Sequence, residues 1–254
     1  MSDKNFNYFE SPPSFKVTKS LFFDGVDELV GMGNILNFER TDVWAASFWF
    51  KTTASGSGTL FGRQLSSGSF RGWNVQTAND KLRFQIIRNL SNRATIDTVA
   101  DFNDGAWHWG LVENDGTGDH TGLNIFIDNV DVPINVVASS LSSGSIQNGA
   151  PFQAGARGVT PLQFYNGGLH SLAIYSGINL TSAQRAEIYN GGSPNNLEAL
   201  TLTPDPTYWW RFGDNPGDNY NVDVPNEWVM KDSMLLADGT SMNMELADVM
   251  LDAP

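Results

Sequence analysis

Several residue groups in this chain could do chemistry, and their types and spacing decide which. Glu113-Asn114-Asp115 begins an alternation of carboxylates. On a strand it would present them to one face, as a retaining glycosidic cleavage requires of its two carboxyls. The position three beyond Asp115 is Gly118, and the segment runs into the turn Asn114-Asp115-Gly116-Thr117-Gly118-Asp119. It therefore reads as a solvated hairpin, and catalysis is not expected. The histidines, His108, His120 and His170, include no pair at metal-ligating spacing. The serines lack a nucleophile-elbow motif. With no cysteine, disulfides, thiolate metal sites and thiol nucleophiles are excluded.

The remaining candidates are acidic loops and aromatic rings. Asp115 with Asp119, Asp128 with Asp131, and Asp214 with Asp218 and Asp223 carry the oxygen chemistry that calcium uses. None forms a twelve-residue calcium loop, and aspartate favours turns because its side chain bonds the local backbone. No cofactor is expected, calcium being the one ion this chemistry admits. Trp73, Trp107, Trp109, Trp209, Trp210 and Trp228 could stack on sugar rings. Trp73, Trp109 and Trp209 are taken as the glycan-stacking candidates, in competition with core packing, the commoner role of large aromatics.

The elements that must position these groups repeat one cadence. Short alternating runs such as Ser47–Lys51, Trp73–Gln76, Lys81–Ile87, Trp107–Val112 and Leu123–Asp128 are separated by turns rich in Gly, Asp, Asn and Ser. Evenly spaced strands of period two predict an all-β sandwich or barrel. One helix is predicted from Leu180, with Thr181 as N-cap, Gln184 three residues later and Gly191 as the stop. Three regions follow: an arm over residues 1–19, a strand-rich domain over 20–192, and an extension over 193–254 that docks on the body or on a neighbouring subunit. About 50 residues without disulfide or metal rarely support a core of their own.

Composition bounds the partners. The net charge of -13 and the scattered Lys and Arg argue against nucleic acid. No run approaches the ~20 apolar residues of a membrane span, and the polar first residues carry no export signal.

Leu21-Phe22-Phe23-Asp24-Gly25-Val26-Asp27-Glu28-Leu29-Val30, Ser47–Thr52, Gly105-Ala106-Trp107-His108-Trp109, Leu123–Asn129, Gly167–Tyr175 and the Leu-Thr-x-x-Gln helix start at Leu180 stand in a telling order. Together they resemble a LamG-like jelly roll of the concanavalin A-like lectin/glucanase superfamily. The resemblance covers residues 20–192 and implies a two-sheet antiparallel jelly-roll sandwich with one short C-terminal helix and an extended C-terminal tail. Relatives often place Asp where this chain has His170, and some bind calcium near the sandwich rim. The glucanase branch uses Glu-x-Asp-x-x-Glu, which is incomplete here. The function expected from the resemblance, the arm and the apolar tail is a non-enzymatic structural or attachment component of a tailed-phage virion, such as a capsid decoration, head-fibre or tail-associated protein. Its expected partners are other virion proteins, itself as a homo-oligomer, and cell-surface glycans. A lectin-like module of a microbial adhesin is the alternative, and a glycoside hydrolase is disfavoured.

Overall fold

The computed structural model describes residues 15–254. Residues 1–14, most of the expected arm, lie outside the described residues. Along the chain run β1 (Ser20–Asp24), β2 (Leu29–Gly33), β3 (Trp44–Lys51), β4 (Gly58–Gln64), β5 (Gly72–Ala78), β6 (Lys81–Asn89) and β7 (Asn92–Thr98). Then come β8 (His108–Asn114), β9 (Leu123–Ile127), β10 (Val130–Asp131), β11 (Ile134–Ser139), β12 (Phe152–Ala154) and β13 (Asn166–Ser176). After the helix α1 (Ser182–Tyr189) follow short strands: β14 (Tyr208–Trp210), β15 (Asn219–Tyr220), β16 (Trp228–Met230), β17 (Gly239–Met242) and β18 (Val249–Met250).

These strands form two antiparallel sheets. Sheet I has the order β10-β9-β8-β3-β13-β1-β18, with β14 also paired to β13. Sheet II has the order β11-β7-β6-β5-β4-β12-β2-β17-β16-β15. The expected antiparallel sandwich is thus the observed fold.

Period two explains how each sheet meets the core. Along β3, Trp44, Ala46, Phe48 and Phe50 enter the main cluster between the sheets, joined from sheet II by Phe61, Trp73, Val75, Phe84 and Ile96. The intervening residues Ala45 and Trp49 point the other way and join a second cluster on the outer face of sheet I, with Trp109, Leu111, Phe126, Ala173, Tyr175 and Trp209. β3 is therefore buried on both faces, as expected for a strand with a covered outer side.

The cover over sheet I is α1 and the segments around it, through Leu180, Ile188 and Leu197. Thr181 caps the helix reciprocally with Gln184, forming a capping box. The helix ends one residue before the predicted glycine, because Asn190 itself takes the left-handed conformation (φ 49°).

The C-terminal extension is woven into its own body. β14 pairs with β13, β17 with β2 and β18 with β1. At the other end Phe15 stacks on Trp209 with ring centroids 6.1 Å apart.

Candidate functional site

The two outer faces of the sandwich differ in chemistry. On sheet I the tryptophans are spent on packing. Trp109 is fully buried beneath Tyr189, whose ring centroid is 5.8 Å away, and its indole N–H donates to Ser47 Oγ at 2.9 Å. Trp209 donates to Ser171 Oγ at 2.8 Å and lies under Phe15. Trp73 lies between the sheets, 4.5 Å from the Trp44 ring, and donates to the Leu36 carbonyl at 3.1 Å. None of the three offers a ring face to a ligand, so the glycan-stacking expectation for Trp73, Trp109 and Trp209 is corrected. Each was read from its strand, but the period does not say whether an outer face is covered.

Sheet II turns a different set of side chains outward. Register places Thr95, Gln85, Asn74, Gly62, Gln153 and Gly31 side by side across β7, β6, β5, β4, β12 and β2. A parallel row holds Asp97, Arg83, Gln76 and Thr59. α1 lies on the other sheet, and neither apolar cluster extends over this face. Arg83 clamps Asp97 with two hydrogen bonds of 2.7 and 2.8 Å, cancelling both charges. Gln76 Oε1 accepts from Asn74 Nδ2 at 2.9 Å and from Gln85 Nε2 at 3.4 Å. That commits one end of the Asn74 amide and leaves its Oδ1 without a partner.

The gap in the row is Gly62. A β-carbon there would come within 2.5 Å of Asn74 Cβ and 2.6 Å of the Trp73 carbonyl oxygen, so no side chain fits. Gln153 has a glycine beside it on each neighbouring strand, Gly62 and Gly31. Its Oε1 is also unpartnered, although the residue is only 5% exposed.

The hairpin leaving β12 explains this burial. At its base Gly155 N donates to the Leu60 carbonyl (2.9 Å) and the Gln163 carbonyl accepts from Thr59 N (2.8 Å). Arg157 and Leu162 exchange two backbone hydrogen bonds of 3.1 Å each. Farther along, Arg157 donates to Gln64 Oε1 at 3.1 Å and lies over the Phe70 ring at 5.5 Å. A β-carbon at Gly158 would touch Ser66. Base contacts at the start of β4 and outer contacts at its end mean that the hairpin runs lengthwise over the outward side of β4. In and around it, Thr59 Oγ1, Asn74 Oδ1, Gln153 Oε1, Gln163 Oε1 and the Nε atoms of Arg71 and Arg157 are buried without hydrogen-bond partners among the described residues. Buried polar groups are normally paired, so such a concentration calls for an explanation.

The other sequence candidates have structural tasks. Glu113 is buried and accepts from Leu180 N at 2.7 Å, holding the start of α1; burial pushes its carboxyl pKa up. His108 joins Asp128 (2.8 Å) and Asp104 (3.2 Å), and chiefly the Asp128 contact raises its pKa. His170 is buried against Asp214 at 3.2 Å, and burial lowers its pKa. His120 lies beside Asp119 at 4.0 Å. The acidic loops are largely committed to backbone: Asp115 to Thr117 N, Asp119 to Thr121 N, Asp128 to Trp109 N, and Asp218 to Gly213 and Lys231 N. Local turn bonds thus occupy Asp115 and Asp119, and longer-range backbone bonds occupy Asp128 and Asp218. One acidic grouping was not foreseen. Asp24, Asp27, Glu28, Glu245 and Asp248 line a rim cleft with Asn226 and Asn243. Burial, with Asp248 and Asp24 nearby, raises the Glu28 pKa to about 8.

Comparison with known proteins follows the geometry. The family model of the concanavalin A-like lectin/glucanases superfamily, laminin G type, matches residues 24–184, and the chain belongs to this family. No curated protein matches it. Among solved structures it is similar to a candidate carbohydrate binding protein from Bacteroides ovatus, with TM-score 0.58 and 10% identity, over 94% of this chain and 63% of that one. The chain thus spans less than two thirds of that relative. It is also similar to a heptameric SAP-like pentraxin from Limulus polyphemus, with TM-score 0.50 and 14% identity, over 74% of this chain and 89% of that one. At these identities the likeness is one of fold.

Proposed function

We propose that this protein is a non-enzymatic glycan-binding module whose binding face is the outer side of sheet II. The observation that carries the reading is the row of uncharged amides and hydroxyls across β7 to β12, with buried acceptors left unpaired. Carbohydrates present dense hydroxyl donors and acceptors, which such a row complements. The carbohydrate binding named for the Bacteroides neighbour agrees with this reading. Catalysis is disfavoured on the same face. Asp97 is the one carboxylate in these two rows and is spent on Arg83, whereas hydrolysis needs a pair. Titration calorimetry of the full chain against an oligosaccharide panel, with product analysis after prolonged incubation, tests the proposal. Binding without cleavage supports it; cleavage, or no binding across the panel, overturns it.

A second reading, attachment within a tailed-phage virion, is favoured by one feature. The terminal strand of sheet II, β11, exposes Ile134, Val136 and Val137, and exposed apolar edges invite a pairing partner. The apolar tail expected to support assembly gives this reading less support, since its strands pair with their own body. A defined oligomer in native mass measurement, broken by Val136→Lys, would support this reading; a monomer would oppose it.

A further inference from the structure

We infer that the hairpin over residues 155–163 is a movable cover and that the glycine notch beneath it, between Asn74 and Gln153, seats an uncharged, hydroxyl-rich sugar. The inference rests on the glycan reading above and names its subsite and ligand class.

Three observations converge on the notch. Asn74 and Gln153 face each other across Gly62, two strand spacings or about 9–10 Å apart at the backbone. No side chain stands between them. Both present an unpartnered acceptor, Oδ1 and Oε1, and both are more than nine-tenths buried. The orientation of the Asn74 amide is set by its bond to Gln76, so its free atom is the oxygen.

The ligand class follows from this inventory. Acceptors on the floor require donors on the ligand, and sugar hydroxyls are donors. An anionic sugar would bring a carboxylate or sulfate against carbonyl oxygens, while the nearby Arg83 is already neutralised by Asp97. On the floor itself a charged group would therefore lose hydration without a counter-ion, which is costly. From β7 to β12 the row crosses five strands, about 19 Å at ordinary strand spacing, so a short chain of sugars lies across the strands. The hairpin supplies what the floor lacks: Arg157 Nε, a buried donor without a partner, with Arg71 Nε on the facing loop.

The hairpin must move for the sugar to enter. Its hold on the 64–70 loop is the Arg157–Gln64 hydrogen bond, the Arg157–Phe70 contact and the packing of Gly158 on Ser66, a latch with a single side-chain hydrogen bond. Gly31 borders Gln153 on the side away from Gly62, and a β-carbon there meets nothing nearer than 3.8 Å, so Gly31→Val restricts the Gln153 side chain from its far side.

The test uses the full chain, calorimetry and hydrogen–deuterium exchange. The probes are cellotetraose, xylotetraose, maltotetraose and mannotetraose as neutral sugars, with tetragalacturonate and sialyllactose as anionic ones. A neutral tetrasaccharide is expected to bind and to slow amide exchange at residues 153–165 and 58–76. Asn74→Ala and Gln153→Ala each weaken it about five- to tenfold, as loss of one hydrogen bond implies. Gly31→Val, at a site where a β-carbon is accommodated, weakens it as well, and Arg157→Ala speeds both association and release. Binding of a neutral sugar that is indifferent to Asn74→Ala, Gln153→Ala and Gly31→Val overturns this subsite while leaving the glycan module standing. Binding of anionic sugars alone overturns the ligand class. Binding of none of the six probes overturns the inference together with the reading it rests on.

Discussion

The outer faces of the two sheets share a backbone design and have opposite fates. That of sheet I carries Trp49, Trp109, Trp209, Ala45 and Ala173 and is sealed by α1. That of sheet II carries Asn74, Gln76, Gln85, Thr95 and Gln153, with the 155–163 hairpin laid over its β4 side. The difference shows that aromatic content marks where a sandwich is packed and does not locate a ligand. The hydrogen-bonding capacity left over after folding is the better guide. On sheet I the indole donors find Ser47 and Ser171. On sheet II the acceptors Asn74 Oδ1 and Gln153 Oε1 find no partner among the described residues.

This contrast can be broken by mutation, and the largest effect belongs to sheet I. Trp109→Ala should cost about 3–5 kcal/mol of stability, measured by denaturant unfolding, with glycan affinity of the folded fraction unchanged. Glu113→Ala should cost about 1–3 kcal/mol, because Leu180 N–H is left buried and unpaired. Thr181→Ala, removing the cap of α1, should cost about 1 kcal/mol. Asn74→Ala should cost about 0.5–1.5 kcal/mol, the buried hydrogen bond to Gln76 being lost while Oδ1 was already unpaired, so its stability changes far less than that of Trp109→Ala while glycan binding falls. A large loss of stability in Asn74→Ala would erase the distinction between the faces.

The rim provides a smaller, pH-dependent contrast. Glu28 holds its proton in the folded protein up to about pH 8, whereas the unfolded chain releases it near the ordinary value of 4.5. The folded state therefore binds more protons between these limits, and stability falls as pH rises from about 4.5 to 8. Melting temperatures across that range should decline, and Glu28→Gln should flatten the decline. An unchanged slope in Glu28→Gln would move the effect to another group.

Much of this architecture was legible in the amino-acid order. Trp44–Lys51 and Lys81–Asn89 declared themselves by period two, and Thr181 with Gln184 declared the helix start. The weave of the C-terminal extension was not, because strands of two to four residues such as β15, β17 and β18 carry no period. The candidate site was half visible. Asn74, Gln76, Arg83 and Gln85 are the polar partners of the apolar positions from which β5 and β6 are read, whereas Thr95 and Asp97 lie on β7, which no sequence run marks, and nothing local says that these residues align across three strands. The hairpin was invisible for a further reason. It is turned by Gly155 and Gly158 at positive φ, and its docking depends on Arg157 reaching Gln64, 93 positions earlier in the chain. Trp73, Trp109 and Trp209 misled because alternation assigns a side without revealing what covers it.

The most direct test sets one residue of each face against the other. Trp209→Phe and the double variant Asn74→Ala/Gln153→Ala are titrated with the neutral tetrasaccharides that bind the unaltered chain. The account predicts that Trp209→Phe keeps its affinity within about twofold while the double variant loses about twenty-fivefold or more. Full affinity in the double variant, with loss in Trp209→Phe, would place the binding face on sheet I and contradict the account.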